Sequence, residues 1–342
     1  MQITHLNKSN VNLWQNYVNG HPDATFYHRH EWKDVIEKSF GHKTYYIMAM
    51  ANDKVTGILP MVHLKSLLFG SIFCSMPFLN FGGICADNAA AENALLLEAE
   101  KTLKTSNGSY LELRHKKKSI ADIPAKTHKV SMTLELAPDP DVLWKNFKTK
   151  HRTNIRRAYK NGLEIKVGGR EYLKDFYNIM SIGWRDLGTP FYKFTFFENI
   201  MDSFADAVQI YLVYHEGRPI ATAFNGLFRD TVEGMWTYSL REFAKLQTNY
   251  LLYWEMIKRA CENGYKLYHL GRSTNETGAT FYKKKWNAVT KQLYWEYILN
   301  KADEVPDLTV DNPKYDLAIN IWKNLPVWST KMIGPYIAKN IP

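Results

Sequence analysis

Two stretches concentrate side chains able to do chemistry. In "HLGRSTNETGATFYKKKW" (269–286), Arg272 and Ser273 follow an apolar run beside Gly271, where open α/β folds place ligand-contacting residues. The stretch lacks the G-x-x-x-x-G-K-[ST] order of a Walker phosphate loop. It reads as a strand exit and a polar turn in which Thr274 or Asn275 caps a short helix. That helix would hold Glu276 in its first turn and set Phe281, Tyr282 and Trp286 toward its packed side, with Lys283 to Lys285 around them.

The second stretch is cationic. Between Lys145 and Arg170 stand nine basic residues and one acid, Glu164, which accounts for +8 of a chain total of +10. "DVLWKNFKTKHRTNIRRAYKNG" has helical composition, opens after Asp139-Pro140 and ends at Asn161-Gly162. Arg152 and Arg156 are four apart and share a face, flanked by Asn154, Arg157 and Tyr159. Planar guanidinium groups so placed can hold a phosphate bidentately. A merely solvated helix interleaves Glu with Lys at i, i+4, and this one does not, which favours anion binding. Nucleic acid, a nucleotide head or a lipid pyrophosphate would each suffice.

Smaller features are weaker. "GWRDLGTPFYKF" carries Arg185 and Asp186 in an aromatic loop too polar for pure packing, which suits a substrate wall. His28 and His30 in "FYHRHEW" are spaced for one strand face, but two histidines without a third ligand do not make a zinc site, and they read as structural, stacking near Trp32. No metal is expected. Cys74, Cys85 and Cys261 are too few and too far apart for a disulfide framework, which fits a reducing cytosol.

These residues need a scaffold, and 342 residues that are 45% hydrophobic and 23% charged can bury a large core. No basic-then-apolar leader opens the chain and no run reaches the roughly 18 apolar residues of a membrane span, so a soluble or peripheral cytoplasmic protein is expected. The greasiest segment, 67–83, is interrupted by Gly, Ser, Pro and Asn and reads as a buried strand and turn.

The segments "KTYYIMAMANDKVTGILPMVHL" and "AVQIYLVYHEGRPIATAFNGLF" each read as a hairpin, turning at Asn52-Asp53 and at Glu216-Gly217. After each come a further strand, a helix closed by Asn107-Gly108 or Asn263-Gly264, and a strand. The turns are 164 residues apart and the helix ends 156, which points to an internal duplication. The expected fold is mixed α+β with two tandem subdomains, each a sheet flanked by helices: 1–137 and 138–302. The boundary is set at "LAPDPDV", and 303–342, proline-rich and aromatic, should pack back on the body.

The order strand, loop, "FYKKKWN" resembles the late part of the GNAT superfamily of N-acyltransferases. Together with "HRTNIRRAYKNGL", "DLGTPFY", "LPMVHLKSLLFGSIFCSMPFLNFGG" and "WKNLPVWSTKMIGPYIAKNIP", it resembles the FemAB-like proteins over nearly the whole chain. The resemblance implies two GNAT-like subdomains and transfer of an acyl or aminoacyl group to an amine of a peptidoglycan or exopolysaccharide precursor, nucleotide- or lipid-linked. The co-substrate would be acyl-CoA or aminoacyl-tRNA, with no tightly bound cofactor, tRNA as a partner if it is the donor, and peripheral contact with the inner membrane. No helical-hairpin arm like that of the larger Fem ligases interrupts the second half, and "SLREFAKLQTNYLL" stands where CoA users carry a Gly-rich loop.

The resemblance also assigns roles. Lys283 matches the lysine of the aromatic-Lys pattern, where a cation would stabilise charge developing on the attacked carbonyl. Tyr282 would protonate a leaving group, and Glu233, on the strand bordering the acceptor with Tyr238, would be general base. The alternative from another class is a non-catalytic pair of GNAT-like units that recruits an anionic glycan or lipid-linked precursor.

Overall fold

The computed structural model describes residues 1–66, 69–306 and 312–342. In chain order the elements are β1 (Gln2–His5), α1 (Val11–Gly20), α2 (Glu31–Phe40), β2 (Lys43–Ala51), β3 (Lys54–Ser66), β4 (Gly70–Cys74), β5 (Cys85–Ala86), α3 (Ala89–Thr105), β6 (Tyr110–His115), β7 (Ala125–Lys126) and β8 (Lys129–Glu135). The second half continues with α4 (Pro140–Asn146), α5 (Thr149–Lys160), β9 (Leu163–Gly168), α6 (Leu173–Asp186), α7 (Phe194–Phe204), β10 (Val208–His215), β11 (Arg218–Phe228), β12 (Thr231–Ser239), α8 (Thr248–Glu262), β13 (Leu267–Thr274), α9 (Gly278–Lys284), β14 (Val289–Gln292), β15 (Tyr294–Leu299), α10 (Asp316–Asn324) and α11 (Val327–Ala338).

The duplication is visible in these elements. Strand, two helices, three antiparallel-linked strands, a helix and a strand recur in order, β1 to β6 and again β9 to β13. Sheet neighbours β1-β2-β3-β4-β6 are matched by β9-β10-β11-β12-β13 in the other sheet, and in both the last pair is parallel. The hairpins share a cause: Asn52 and Asp53 at φ 49° and 61°, and Glu216 and Gly217 at φ 49° and 75°, give the doubly left-handed two-residue turn that matches strand twist. Both hairpins also carry a bulge beside the turn.

The chain divides into two compact units at boundaries that differ from the expected ones. The first comprises Met1–Lys129, Gln292–Asn312 and Lys339–Pro342, and the second Val130–Lys291 and Pro313–Ala338. The reason lies in strand pairing. β15 lies against β6 in the first unit's sheet, from Tyr294 opposite His115 to Leu299 opposite Tyr110, whereas β8 sits beside β13 in the second. A division at 137/138 and 302/303 would cut both pairings.

In the first unit α3 covers one sheet face, burying Leu95, Leu96 and Leu103 on Ile47, Leu59, Met61, Phe73 and Leu113. Residues 72–83 are buried as expected, while Leu67 and Leu68 lie outside the described residues. In the second unit α5 and α8 bury Ile155, Ala158, Leu252 and Ile257 against the sheet, with Trp286 fully enclosed.

Three local expectations change. The basic segment is not one helix: Phe147 and Lys148 are extended (ψ 145° and 144°), which lets the Phe147 ring pack edge-on to Trp254 and Trp286. His28 lies in a 3-10 turn and His30 caps α2, so the two histidines share no strand face, and Trp32 packs edge-on to Phe26. Gly271 to Thr274 stay within β13, and α9 starts only after Thr277.

Of the C-terminal segment, 307–311 fall outside the described residues. α10 and α11 belong to the second unit. α11 buries its small residues Ser329, Thr330, Gly334 and Ala338, and a Cβ at Gly334 would lie 3.3 Å from Phe191 N and O. Its large apolar residues therefore face outward: Trp328 is 67%, Met332 65% and Tyr336 72% exposed.

Candidate active site

The second unit's site is built on the end of β13. β12 and β13 pair in parallel over Thr231–Glu233 against Leu267–His269, after which β12 runs on to Ser239 and β13 to Thr274 without further pairing to each other. The strands can lie this close at Gly234, where an added Cβ would meet His269 O at 3.0 Å. Gly271 adopts φ 75°, which breaks the alternation of strand carbonyls and aims two consecutive ones to one side.

Lys283 takes those carbonyls. Its Nζ donates to Gly271 O (3.3 Å), Arg272 O (3.2 Å) and Ser273 Oγ (3.0 Å). The side chain is 8% exposed, and burial lowers its pKa to about 7. No carboxylate lies within ion-pair distance of it among the described residues. α9 is positioned for this by two hydroxyls that bond back to the strand end, Thr277 Oγ1 and Thr280 Oγ1 to Thr274 O at 3.0 and 2.7 Å. Neither Thr274 nor Asn275 caps α9, Glu276 precedes it at φ 58°, and Phe281 is 58% exposed rather than packed.

The other expected residues separate into groups. Ser273 is buried beside Lys283, and Arg272, half-buried, is next to it on β13. Glu233 is buried rather than solvent-facing, its carboxylate 2.8 Å from His269 Nδ1. This pair lies two to four residues before the lysine's acceptors, roughly 7 to 13 Å along the strand. Tyr282 sits among Tyr250, Tyr253 and Trp286, with its hydroxyl buried and its pKa raised well above 10.0 by that burial, the environment of a core residue rather than an acid.

Asp186 and Tyr238 form a clasp. Tyr238 OH donates to Asp186 Oδ2 at 3.0 Å, and Arg185 donates from Nε to Asp186 Oδ1 at 2.7 Å and from Nη1 to Leu325 O at 3.2 Å. Burial and the Asp186 carboxylate raise Tyr238 to about 12. A Cβ at Gly183 would come within 2.4 Å of the Tyr238 ring, so β12 packs closely on α6; Arg185 and Asp186, expected in a loop, form the last turn of that helix, where these polar groups satisfy one another.

The basic helix keeps its charge outward. His151, Ile155 and Ala158 are buried, Arg156 and Arg157 exposed, and Arg152 and Asn154 half-buried. Arg156 lies 5.3 Å over the Trp144 ring and Arg152 Nη2 donates to Thr149 Oγ1 at 3.4 Å. Neither makes an ion pair among the described residues, which leaves α5 a cationic ridge without acids.

Sequence reasoning missed a polar network in the first unit. Glu112 accepts from Arg114 Nε at 2.7 Å and Tyr297 OH at 2.9 Å, all buried. His115 Nδ1 lies 2.6 Å from Glu296 Oε2, and although burial pushes the other way, His115 and the Ser119 hydrogen bonds hold the Glu296 carboxyl below its usual range. A Cβ at Gly83 would lie 1.9 Å from the His115 ring, and His28 Nε2 is 2.9 Å from Gly83 O. The alternation in "YLELRH" was the available signal, because three ionisable residues on a fully buried strand must find partners.

Residues 145–284 match the family model of the acetyltransferase (GNAT) domain. Over 100 residues the chain is 31% identical to a lipid II:glycine glycyltransferase of Staphylococcus epidermidis, a match that takes in 28% of this chain and 24% of that protein. Its fold is similar to FemX (TM-score 0.66, 16% identity, 93% of this chain and 100% of that one). It is also similar to L-PGS from Bacillus licheniformis (0.57, 13%, 96% and 98%) and to a tandem GNAT protein from the clavulanic acid biosynthesis pathway (0.53, 10%, 89% and 99%). At these identities the structures speak for architecture: two GNAT-like units in tandem. Residues 145–284 thus carry the match to the acetyltransferase (GNAT) domain, and over most of its length the chain has a fold similar to FemX and to a tandem GNAT protein.

Proposed function

We propose that the protein transfers an acyl or aminoacyl group to an amine of a cell-envelope precursor, with Lys283 at the reacting centre. The observation that carries this is a lysine 8% exposed with no carboxylate beside it, held by three oxygens where two parallel strands of a GNAT domain part. A buried cation without a counter-ion costs stability, and such groups gather at functional sites. When an amine attacks the donor carbonyl, the new C–N bond forms and negative charge develops on oxygen, which a Lys283 ammonium facing it stabilises while Arg272 and Ser273 line the approach. The oxyanion then collapses with breakage of the bond to the CoA sulfur or the tRNA ribose oxygen, and that leaving group takes up the proton the amine gives up. Glu233 acts through His269 as a positioning pair for β13 rather than as the base.

The likeness to a lipid II:glycine glycyltransferase supports a lipid-linked precursor as acceptor. The α5 ridge of Arg152, Arg156 and Arg157 supplies phosphate contacts for either donor, acyl-CoA or aminoacyl-tRNA. No helix among the described residues is long and apolar enough to cross a membrane. Contact with a lipid surface is supported instead by α10 and α11, where Leu317, Ile321, Trp328, Met332 and Tyr336 are exposed near Lys314 and Lys323.

The test is mass spectrometry of nucleotide- and lipid-linked envelope precursors incubated with the protein and either acyl-CoA or an aminoacyl-tRNA pool. A mass gain on the precursor that disappears with Lys283→Ala supports transfer, and the pool that yields it identifies the donor. Precursor bound through Arg156 and Arg157 with no mass gain from either pool would replace this reading with a non-catalytic recruiting module.

A further inference from the structure

The first unit holds a cavity of about 560 Å³ that no part of the transfer reading uses. Its origin is a mismatch of lengths. β3 has 13 residues, roughly 43 Å of strand, whereas α3, which covers this face, has 17 residues and spans only about 26 Å. Where α3 ends at Thr105, the sheet continues uncovered.

Register decides which side chains occupy the uncovered end. Lys43 is opposite His63 and Tyr45 opposite Met61 across β2 and β3, while His63 is opposite Phe73 across β3 and β4. Because side chains alternate, Lys43, Tyr45, His63 and Lys65 all point to the face that α3 leaves open. Lys339, whose carbonyl accepts from His42 Nε2 at 2.6 Å, joins them on the cavity wall.

Three lysines thus converge and no acid lines the cavity. Among the described residues none of Lys43, Lys65 and Lys339 has a carboxylate within ion-pair distance. Glu37, on α2 three residues before Phe40, is engaged by Lys33 and by the Thr44 hydroxyl. His63 does not add charge: it stacks on Phe73 at 4.2 Å, sits 2.8 Å from Ser71 Oγ, and burial with the neighbouring Lys65 and Lys43 lowers its pKa to about 4. Tyr45 feels the same field: burial raises its pKa, but Ser106, Lys43 and Lys65 outweigh that and bring it below 10.0. Like charges gathered without a counter-ion repel, and sequence-neutral solvation does not require them to share one concave face with Phe40 and Tyr45.

We propose that this cavity binds a phosphorylated small molecule, its phosphates held by Lys43, Lys65 and Lys339 and its organic part set against Phe40 and Tyr45. The cavity has the size of a small-ligand site.

The proposal is tested by isothermal titration calorimetry of inorganic pyrophosphate and of uridine diphosphate into the full chain carrying Arg152→Ala/Arg156→Ala/Arg157→Ala, which removes the α5 ridge and separates this site from the transfer reading. One equivalent is expected to bind, with affinity falling at least tenfold in a further Lys43→Ala/Lys65→Ala variant and unchanged in a Lys54→Ala control, a lysine exposed on the hairpin turn. The lysines are exposed, so circular dichroism should report an unaltered fold. Absence of binding, or binding that survives Lys43→Glu/Lys65→Glu, would overturn the proposal, as would an RNA hairpin that displaces pyrophosphate from the same lysines more tightly than either small ligand.

Discussion

A buried lysine without a carboxylate is paid for in stability, by several kcal/mol before its hydrogen bonds are counted. For Lys283 the sign follows from its lowered pKa. The unfolded chain keeps the proton up to about 10.5 and the native chain loses it near 7, so the penalty is full below pH 7 and shrinks as pH rises between the two. Lys283→Met, similar in volume and uncharged, is therefore expected to unfold at equal or higher denaturant concentration than the parent at pH 6.5, with the gap narrowing by pH 9 in urea titrations. The same substitution, like Lys283→Ala, should cost about 100- to 1000-fold in turnover while leaving precursor affinity within a few-fold. The sequence placed a lysine here only through the aromatic-lysine pattern. That pattern singled out Lys283 among three consecutive lysines, but not what holds it inward, because that depends on α9 starting after Thr277 and on Gly271 turning two carbonyls to one side.

At the scale of elements, the hairpins were legible because their turn residues demand left-handed backbone, and α3 and α8 because their closing Asn-Gly pairs do the same work. The break at Phe147 was not legible: helical composition runs through it, and only tertiary burial of the ring among Trp254 and Trp286 overrides local propensity. The break frees α5 to present its cations as a separate ridge. Arg157→Ala, which loses charge with little packing, should raise KM for a phosphate-bearing substrate about tenfold at low salt with kcat held, and by less at high salt, measured by steady-state assay at two ionic strengths. α11 invites a different assay. Trp328→Ala/Met332→Ala/Tyr336→Ala removes side chains that are already exposed, so the melting temperature should hold while co-sedimentation with phosphatidylglycerol vesicles falls at least tenfold. The apolar character of this segment was legible in the sequence; that its small residues rather than its large ones make the close contacts was not.

At the scale of the molecule, the duplication could be counted in turn spacings, but the membership of β8 and β15 could not, because strand pairing between distant segments leaves no local pattern. A fragment 1–137 lacks β15 and bares the edge of β6, whose residues are all buried in the whole chain. It is expected to elute as aggregates on size exclusion, whereas 1–137 supplied together with 138–342 should recover part of the native circular dichroism.

The exchanged strands also set a timetable. Tyr110–His115 must wait for Tyr294–Leu299, some 180 residues later in synthesis, before its edge is closed. At translation speeds of about 5 to 20 residues per second, that leaves a buried-type strand uncovered for roughly 10 to 40 seconds on the ribosome. A chain built this way depends on whatever shields nascent strands in its cell, and slowing its synthesis between the two strands should lower its soluble yield more than slowing it anywhere after them.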